Sequence, residues 1–525
     1  MAEGIIAAMR RYLYIGVFFA GCASLAVEMS ASRLLGNYFG SSNLVWAAII
    51  GLILIYLSVG YTIGGKWADR SPEFKTFFSI LSWASLLIGL IPLASRPILR
   101  AASQAFDEMQ VGVMIGSFVS VLALFSLPVT LLGTASPFAV RIALENKENA
   151  GKVAGKIYTI STLGSFLGTF LPVLVLVPAI GTYRTFVALS AGLMLVSLFC
   201  LWKTSGVKAA ARLFWMPILL ILATLFGLGG FDKQAQGIIF EGESAYNYIQ
   251  VQQIGDYRIL RLNEGQGIHS IYHPVQQNFY GAWEQVLVAP FFNDAPHEIG
   301  EVQRIAILGL AAGTSARQVY EVYPQAQIDG YEIDPKIIEV GRDLFEMDIP
   351  SLDVYAEDAR WGLAHSGQRY DLISIDAYRP PYIPWHLTTR EFFQETYTHL
   401  NEQGVLVINV ARILDDRRLV DALFTTIQAV YPSVYIVDLP DTLNSIIFAT
   451  RQPTRIENLA LNYLALDSDA STPSLLMEAL QSAVLGMQSN PSETILFTDD
   501  HASVEWITND MIFGLFKSGQ LETLH

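Results

Sequence analysis

The sequence predicts an N-terminal α-helical transmembrane bundle of about seven spans, then a small β-domain, then a doubly wound α/β domain. Three observations carry this reading. First, 52% of the 525 residues are hydrophobic and mean hydropathy is +0.38, but the apolar weight lies ahead of Gly230. Runs such as VWAAIIGLILIYLSVG (45–60) and SFVSVLALFSLPVTLLG (117–133) approach the ~20 apolar residues a helix needs to cross a bilayer. Second, charge divides at the same place. Residues 1–233 hold 17 Lys+Arg and 9 Asp+Glu, a net of +8; the rest hold 16 and 39, a net of −23. Third, the pattern after Gly230 shortens into β-rich pieces and then alternates strand and helix.

The spans are expected near 12–34, 44–65, 76–95, 113–136, 157–179, 183–202 and 213–230. The first lacks a clear small-residue cleavage site and another span follows at once, so it does not read as a signal peptide. Glu28 stands out inside it, with Ser30, Ser32 and Arg33 close behind. A carboxylate in hydrocarbon costs several kcal/mol unless partnered. Glu28 therefore either pairs with Arg33 or another helix as a packing device, or has a function of its own. The loop GGKWADRSP (64–72) resembles the short Gly…Asp-Arg loop of major facilitator transporters, which is cytoplasmic.

Placing the N-terminus and the even-numbered loops inside collects 12 Lys/Arg there, against Arg33, Arg96, Arg100 and Arg184 outside. The positive-inside rule thus expects a cytoplasmic N-terminus. Seven full crossings would then carry residues 234–525 to the opposite face. A short seventh span with Pro217 that lies in the interface or re-enters would remove that conflict. The lipid bilayer is an expected partner. Nucleic acid is not, because a domain of net −23 repels phosphate backbones. Cys22 and Cys200 both lie in apolar runs and offer no disulfide framework. The eight histidines show no ligand spacing, so no metal site is expected; His386 beside Trp385 reads equally as a packed loop residue.

The expected domains are 1–233 (membrane), 234–300 (small, β-rich), 301–454 (cofactor-binding α/β) and 455–525 (a mostly helical tail). In doubly wound sheets, ligands sit at the carboxyl ends of the strands. The first such end reads ILGLAAGTS (307–315), where small residues let a backbone approach a ligand. The second is YEIDP, the third AEDAR and the fourth SIDAY. Glu332, or else Asp334, suits a ribose diol, because a carboxylate accepts two hydroxyl hydrogen bonds. Asp358 suits an adenine amino group, and Asp376 faces the reacting end. Each residue alone also reads as an ordinary strand terminator; the four together make the signal.

Residues 240–450 resemble the spermidine synthase (polyamine aminopropyltransferase) family, and the whole chain resembles its membrane-fused members. The motifs are ESAYNYIQV (243–251), WEQVLVAP (283–290), ILGLAAGT, YEIDP, AEDAR and SIDAY. PWHLTTREFF (384–393) and FTDDHASVEW (497–506) resemble the fused branch in particular. The resemblance implies a Rossmann-like fold of the S-adenosylmethionine methyltransferase type behind the β-domain. It also implies transfer of an aminopropyl group from decarboxylated S-adenosylmethionine to an amine, releasing methylthioadenosine. By the same analogy Asp376 is catalytic with Tyr378 beside it. Gly309, Ala311, Gly313, Glu332, Asp358, Ala359 and Asp376 hold the cofactor, and Tyr246, Asn247 and Glu284 meet the substrate. The resembled family is commonly dimeric or tetrameric, so a homodimer is expected.

The departures cluster on the amine side. Ala312 stands where the family's glycine loop carries an acid, and Arg379 replaces the second acid of its Asp-Ser-Ser-Asp-Pro. Asn278, Phe279 and Ala282 replace an acidic pair and a tyrosine ahead of Glu284, and Asn247 replaces a glutamine. Arg379 would repel a dication and welcome a carboxylate, as in intact S-adenosylmethionine. Asp499 and Asp500, with Glu505, are candidate replacement acids, or else this segment only caps a helix. Three readings follow: an aminopropyltransferase-like enzyme; a methyltransferase or S-adenosylmethionine lyase or cyclase on the same fold; and a transporter-like or sensor protein with a regulatory adenosyl-binding domain. A cofactor made and held in the cytoplasm argues for a cytoplasmic catalytic domain.

Overall fold

The computed structural model describes residues 2–39, 43–109, 113–144, 149–227, 235–263, 267–379, 382–413, 416–440 and 442–518. The expected boundary at 233/234 and the two prolines after Arg379 lie outside the described residues. The chain forms two compact units: 1–235 with 241–248, and 236–240 with 249–525.

The first unit is helical. All seven expected spans are present as Met9–Phe39, Val45–Arg70, Phe74–Leu99, Phe118–Ala143, Ala150–Ile180, Thr182–Ser205 and Val207–Gly227. They make an integral, multi-pass membrane unit. The first two spans belong to α1 (Ala2–Phe39) and α2 (Asn43–Arg70). The last is broken: a turn at 212–214 separates Val207–Ala211 from Trp215–Gly227. Thirteen residues rise only about 20 Å, short of a ~30 Å hydrocarbon core.

With no water to expel from between helices in lipid, close backbone packing must hold them together. Small residues provide it where α1 meets Ala150–Leu171. A Cβ on Gly164 would lie 2.0 Å from the Phe18 carbonyl oxygen, and one on Gly168 would lie 2.1 Å from that of Cys22. A second fastening joins the third and sixth spans. Ser85 Oγ donates to the Ser190 carbonyl and Ser190 Oγ to the Ser85 carbonyl, 2.6 Å each. Gly164→Leu is therefore expected to separate α1 from its neighbour. The check is the thermal unfolding of the full chain in detergent, where the midpoint should fall, while Gly192→Leu, at a position with nothing within 4 Å, should leave it in place.

Two sheets follow the helices. The first is an antiparallel meander, β1 (Ile238–Glu243), β2 (Tyr248–Ile254), β3 (Tyr257–Leu262) and β4 (Ile268–Tyr272), in that order. It is the expected β-rich segment. Ile249, Val251, Leu260 and Tyr272 bury against Ala312, Ile337, Val340 and Phe345. The second sheet has eight strands: β5 (Arg304–Leu308), β6 (Gln327–Tyr331), β7 (Leu352–Tyr355), β8 (Tyr370–Ile375), β9 (Leu400–Ala411), β10 (Ser433–Asp438), β11 (Asn444–Thr450) and β12 (Met487–Gln488). Their order is β12-β10-β11-β9-β8-β5-β6-β7. Strands β5 to β9 are parallel, which is why RIAIL and LISI are buried apolar runs, whereas β10 to β12 pair antiparallel. The chain winds one way from β5 to β7 and the other way from β8. The carboxyl ends of β5 and β8 therefore flank a topological switch point, where such sheets bind ligands. After β11 the chain forms helices Glu457–Asp467, Ser474–Gly486 and Val504–Ser518, with the two residues of β12 between the last two.

Candidate active site

At the switch point the backbone itself is the first feature. After β5 the chain turns through Gly309 at φ +96°, and a Cβ there would lie 2.5 Å from the Asp376 carbonyl oxygen and 2.7 Å from Ala377 Cα. The chain leaving β5 lies against the chain leaving its neighbour β8 with no room for a side chain. Ala311 also takes a positive φ of 48° and donates its N–H to Glu332 Oε2 at 3.0 Å. Ala312 N–H goes to Ser270 Oγ of β4 at 2.9 Å. Gly313, at φ +83°, opens the helix Thr314–Val322. These residues form a cradle of main chain over the sheet edge.

Three carboxylates stand around it. Glu332, at the end of β6, accepts from Ala311 N–H and Asp334 N–H, and burial pushes its carboxyl up to about 7 against those two bonds. Asp334 faces away from this role, capping the helix Pro335–Phe345 through Lys336 N–H. Asp358 caps Ala359–His365, with Oδ1 accepting from Trp361 N–H and Oδ2 bonded to His386 Nε2, both 3.0 Å. The His386 hydrogen bond holds Asp358 below the usual carboxylate range. Asp376, just past β8, accepts from Asn409 Nδ2 at 3.0 Å through Oδ1. Its Oδ2 has no protein partner among the described residues. Burial pushes Asp376 up to about 6, with the Asn409 bond opposing.

The remaining residues singled out from the sequence fall in different places. Tyr378 donates its hydroxyl to the Asn409 carbonyl and accepts from Ala411 N–H, so its oxygen fastens the loop after β8 to β9. Ala359 is buried at the first turn behind Asp358. Glu284 is 2% exposed and ties a loop together, accepting from Phe279 N–H, Gly281 N–H and Gln318 Nε2. Tyr246 and Asn247 group with the helical unit, where Arg33 Nη2 donates to the Ser244 carbonyl and Nη1 to that of Tyr246. Asp499 pairs with Arg360 at 2.8 Å and accepts from Thr389 Oγ1. Asp500 is exposed, and so is Arg379 at the lip of the loop after β8.

Asn409, which the sequence reading did not single out, and His386, which it read equally as a packed loop residue, are the two side chains bonded to these acids. Asn409 stands near the end of β9, the fifth carboxyl end in the row, so extending the strand-end argument by one strand finds it. His386 carries no spacing signal; only its approach to Asp358 reveals it. Among the described residues no cluster of three or more His, Cys, Asp or Glu is arranged to hold a metal.

The spermine/spermidine synthase domain family matches residues 292–459, which span β5 to β11 and the whole cradle. A polyamine aminopropyltransferase of Vibrio vulnificus is 31% identical over 297 residues, 54% of this chain and 92% of that protein. The chain belongs to the polyamine aminopropyltransferase family. A probable polyamine aminopropyl transferase of Bifidobacterium longum is 32% identical over 293 residues, covering 53% of this aminopropyltransferase-family chain and 64% of its relative. Polyamine aminopropyltransferase 2 of Aquifex aeolicus aligns over 474 residues at 25% identity, 86% of this chain and 90% of that protein. That last alignment is too long to be confined to the α/β unit. A crystal structure of spermidine synthase from Thermotoga maritima overlaps 47% of the chain at 19% identity with a TM-score of 0.39, too low to argue from.

Proposed function

We propose that this chain transfers an aminopropyl group from decarboxylated S-adenosylmethionine to a small amine, releasing methylthioadenosine. The observation that carries the reading is Asp376. It lies at the switch point, one oxygen is held by Asn409, the other has no protein partner among the described residues, and its carboxyl is pushed up to about 6. The residues present suit an adenosyl ligand. The main chain of Gly309–Gly313 turns beside it, Glu332 retains lone pairs for the ribose hydroxyls, and Asp358 stands at the adenine end. When bound, the sulfonium supplies an electrophilic carbon.

The protein's own part is proton handling and alignment. An alkyl amine with a pKa of roughly 10 is protonated at neutral pH and cannot attack. Asp376, ionised above about 6, accepts the ammonium's hydrogen bond and takes or orients its proton as the amine advances. Asn409 holds that carboxylate in place from β9, and Tyr378 fastens the loop that carries Asp376 to the same strand. Glu284, closed into its loop, supports the wall rather than the amine. Asp499, neutralised by Arg360, leaves the amine's charge to Asp376.

A second reading, with intact S-adenosylmethionine as donor, is favoured by Ala312 and Arg379, which remove an acid and add a cation where a carboxylate would need them. Mass spectrometry of products from the purified full chain, given each donor with candidate amines, separates the two. Methylthioadenosine with an enlarged amine is the expected result. S-adenosylhomocysteine would replace the proposal with methyl transfer, and methylthioadenosine without an enlarged amine would replace it with lyase chemistry. We place the catalytic unit on the cytoplasmic side, where such donors are made. Digestion of that unit by protease added outside sealed right-side-out vesicles would refute the placement.

A further inference from the structure

PWHLTTREFF (384–393) and FTDDHASVEW (497–506) are far apart in sequence, and the fold fastens them together. Arg390 N–H donates to the Phe497 carbonyl, Asp499 N–H to Glu391 Oε2, and Thr389 Oγ1 to Asp499 Oδ1 at 2.6 Å. Arg360 completes the clamp. It stands in the first turn of Ala359–His365, two residues after Asp358, and its guanidinium forks onto both Glu395 and Asp499 at 2.6 to 3.1 Å. Its Nη1 also donates to the His386 carbonyl at 3.0 Å. The single turn Trp385–Leu387 is further closed by Thr388 Oγ1, which donates to the Trp385 carbonyl.

This clamp presents the His386 ring to the acid at the adenine end. Nε2 lies 3.0 Å from Asp358 Oδ2. Asp358 is held below the usual carboxylate range, and a carboxylate only accepts, so Nε2 carries the hydrogen and donates it. The His386 and Asp358 side chains are 31% and 37% exposed, so neither is sealed from a ligand. The helix cap does not require the ring, because Trp361 N–H already satisfies it through Oδ1. What the ring adds is orientation. The last torsion of an aspartate is soft, and a bond on each oxygen fixes the plane of the carboxylate. Each oxygen offers two lone pairs, so Oδ2 can accept a second N–H beside that of His386.

We propose that His386 is a positioning residue for the donor's base: it orients the Asp358 carboxylate so that Oδ2 accepts the exocyclic amino group of adenine, and the site thereby selects a 6-aminopurine. The inference rests on the adenosyl donor proposed above and adds the residue that sets its base specificity. It also gives the two fastened segments a role, since Asp499 and Arg360 act on the base through the backbone of His386.

The test is equilibrium binding of methylthioadenosine to the purified full chain, beside the same nucleoside with hydrogen in place of the 6-amino group. The parent is expected to prefer the amino compound by about tenfold, the effect of one hydrogen bond to a charged group. His386→Ala should erase most of that preference by weakening methylthioadenosine alone. His386→Gln, whose Nε2 can stand where the ring's Nε2 does, should restore it. His386→Asn, one methylene shorter, should not. Equal weakening of both nucleosides in His386→Ala overturns the proposal, because it marks a general loss of structure. A parent that binds the two nucleosides equally overturns it, and so does a Gln variant as weak as the Asn variant. If His386→Ala does not fold, the comparison of Gln with Asn decides alone. A parent that binds neither nucleoside overturns the adenosyl reading and this inference together. A parent that binds methylthioadenosine, with all His386 variants unmoved, overturns this inference alone.

Discussion

Asp376→Asn is expected to lower kcat by about 10²–10⁴, the range associated with losing a positioned proton acceptor, and to remove the acid limb of the pH–rate profile. With Asp376 in place that limb should turn near pH 6, because burial raises the carboxyl from 3.8 to about 6 and only the ionised form accepts a proton. The same shift has a consequence for stability, of opposite sign. A carboxyl whose pKa is raised by folding holds its proton more tightly in the native state between 3.8 and about 6. Its contribution to stability is therefore best below 3.8, declines as pH rises through that window, and is fully unfavourable above it. A shift of about two units corresponds to about 3 kcal/mol as an upper order of magnitude. Asp376→Asn should thus be inactive yet more stable than the parent at pH 8, and no more stable at pH 3.5. Paired thermal-unfolding and turnover measurements check this. A variant that is both inactive and destabilised at pH 8 would show that Asp376 holds the fold rather than the reaction.

Asn409 sharpens the same test. It keeps a hydrogen bond on Asp376 while its own Oδ1 is buried without a partner. Asn409→Ala should leave the carboxylate in place but unheld, so turnover falls less than in Asp376→Asn and the acid limb moves upward. The upward direction follows because the Asn409 bond is the influence that opposes burial.

Much of this arrangement was legible in the sequence because parallel strands announce themselves. Four apolar runs ending in ILGLAAG, YEID, AED and SID place their last residues on one sheet edge by topology alone, without knowledge of any side-chain contact. The seven spans were equally legible, since length and hydropathy decide them. What could not be read was which oxygen of each carboxylate is already engaged. Asp358 looks like a free acid in AEDAR, but a backbone N–H and His386 occupy it, and His386 lies 28 residues away. Asp499 looks like a replacement acid for an ammonium, but Arg360, 139 residues distant, holds it. Tyr378 follows Asp376 by two residues, yet its hydroxyl is used in securing β9. Glu284 sits in the motif that implied substrate binding, yet three donors close over it. Long-range hydrogen bonds decide these roles, and local pattern carries no record of them. Tyr246 and Asn247 differ in another way: they lie in the turn between β1 and β2, and the contacts of Ser244 and Tyr246 with Arg33 group that turn with the helices, which a local pattern does not record.

Gly309→Ala is expected to damage both the fold and the site of the α/β unit. The atoms that its methyl group would meet are the carbonyl oxygen and carbon of Asp376 and the Cα of Ala377, at 2.5 to 2.7 Å. None of these is a side chain that can rotate away. The backbone at φ +96° is also a region that L residues rarely adopt, which costs of order 1–3 kcal/mol before any clash. Relief requires the ends of β5 and β8 to separate, and Asp376 moves with the β8 end. A displacement near 1 Å at a reacting group costs about 10²-fold in rate. Gly309→Ala should therefore lose both stability and turnover. Gly313→Ala supplies the comparison, since it has a similar φ of +83° but meets Met347 Cγ at 2.6 Å and Sδ at 2.9 Å, atoms of a flexible side chain that can shift. It should share the conformational cost, keep a substantial fraction of turnover and unfold at a higher temperature than Gly309→Ala. Equal losses in the two variants would mean that positive φ alone demands these glycines, and that the close approach of Gly309 to the end of β8 does not set the position of Asp376.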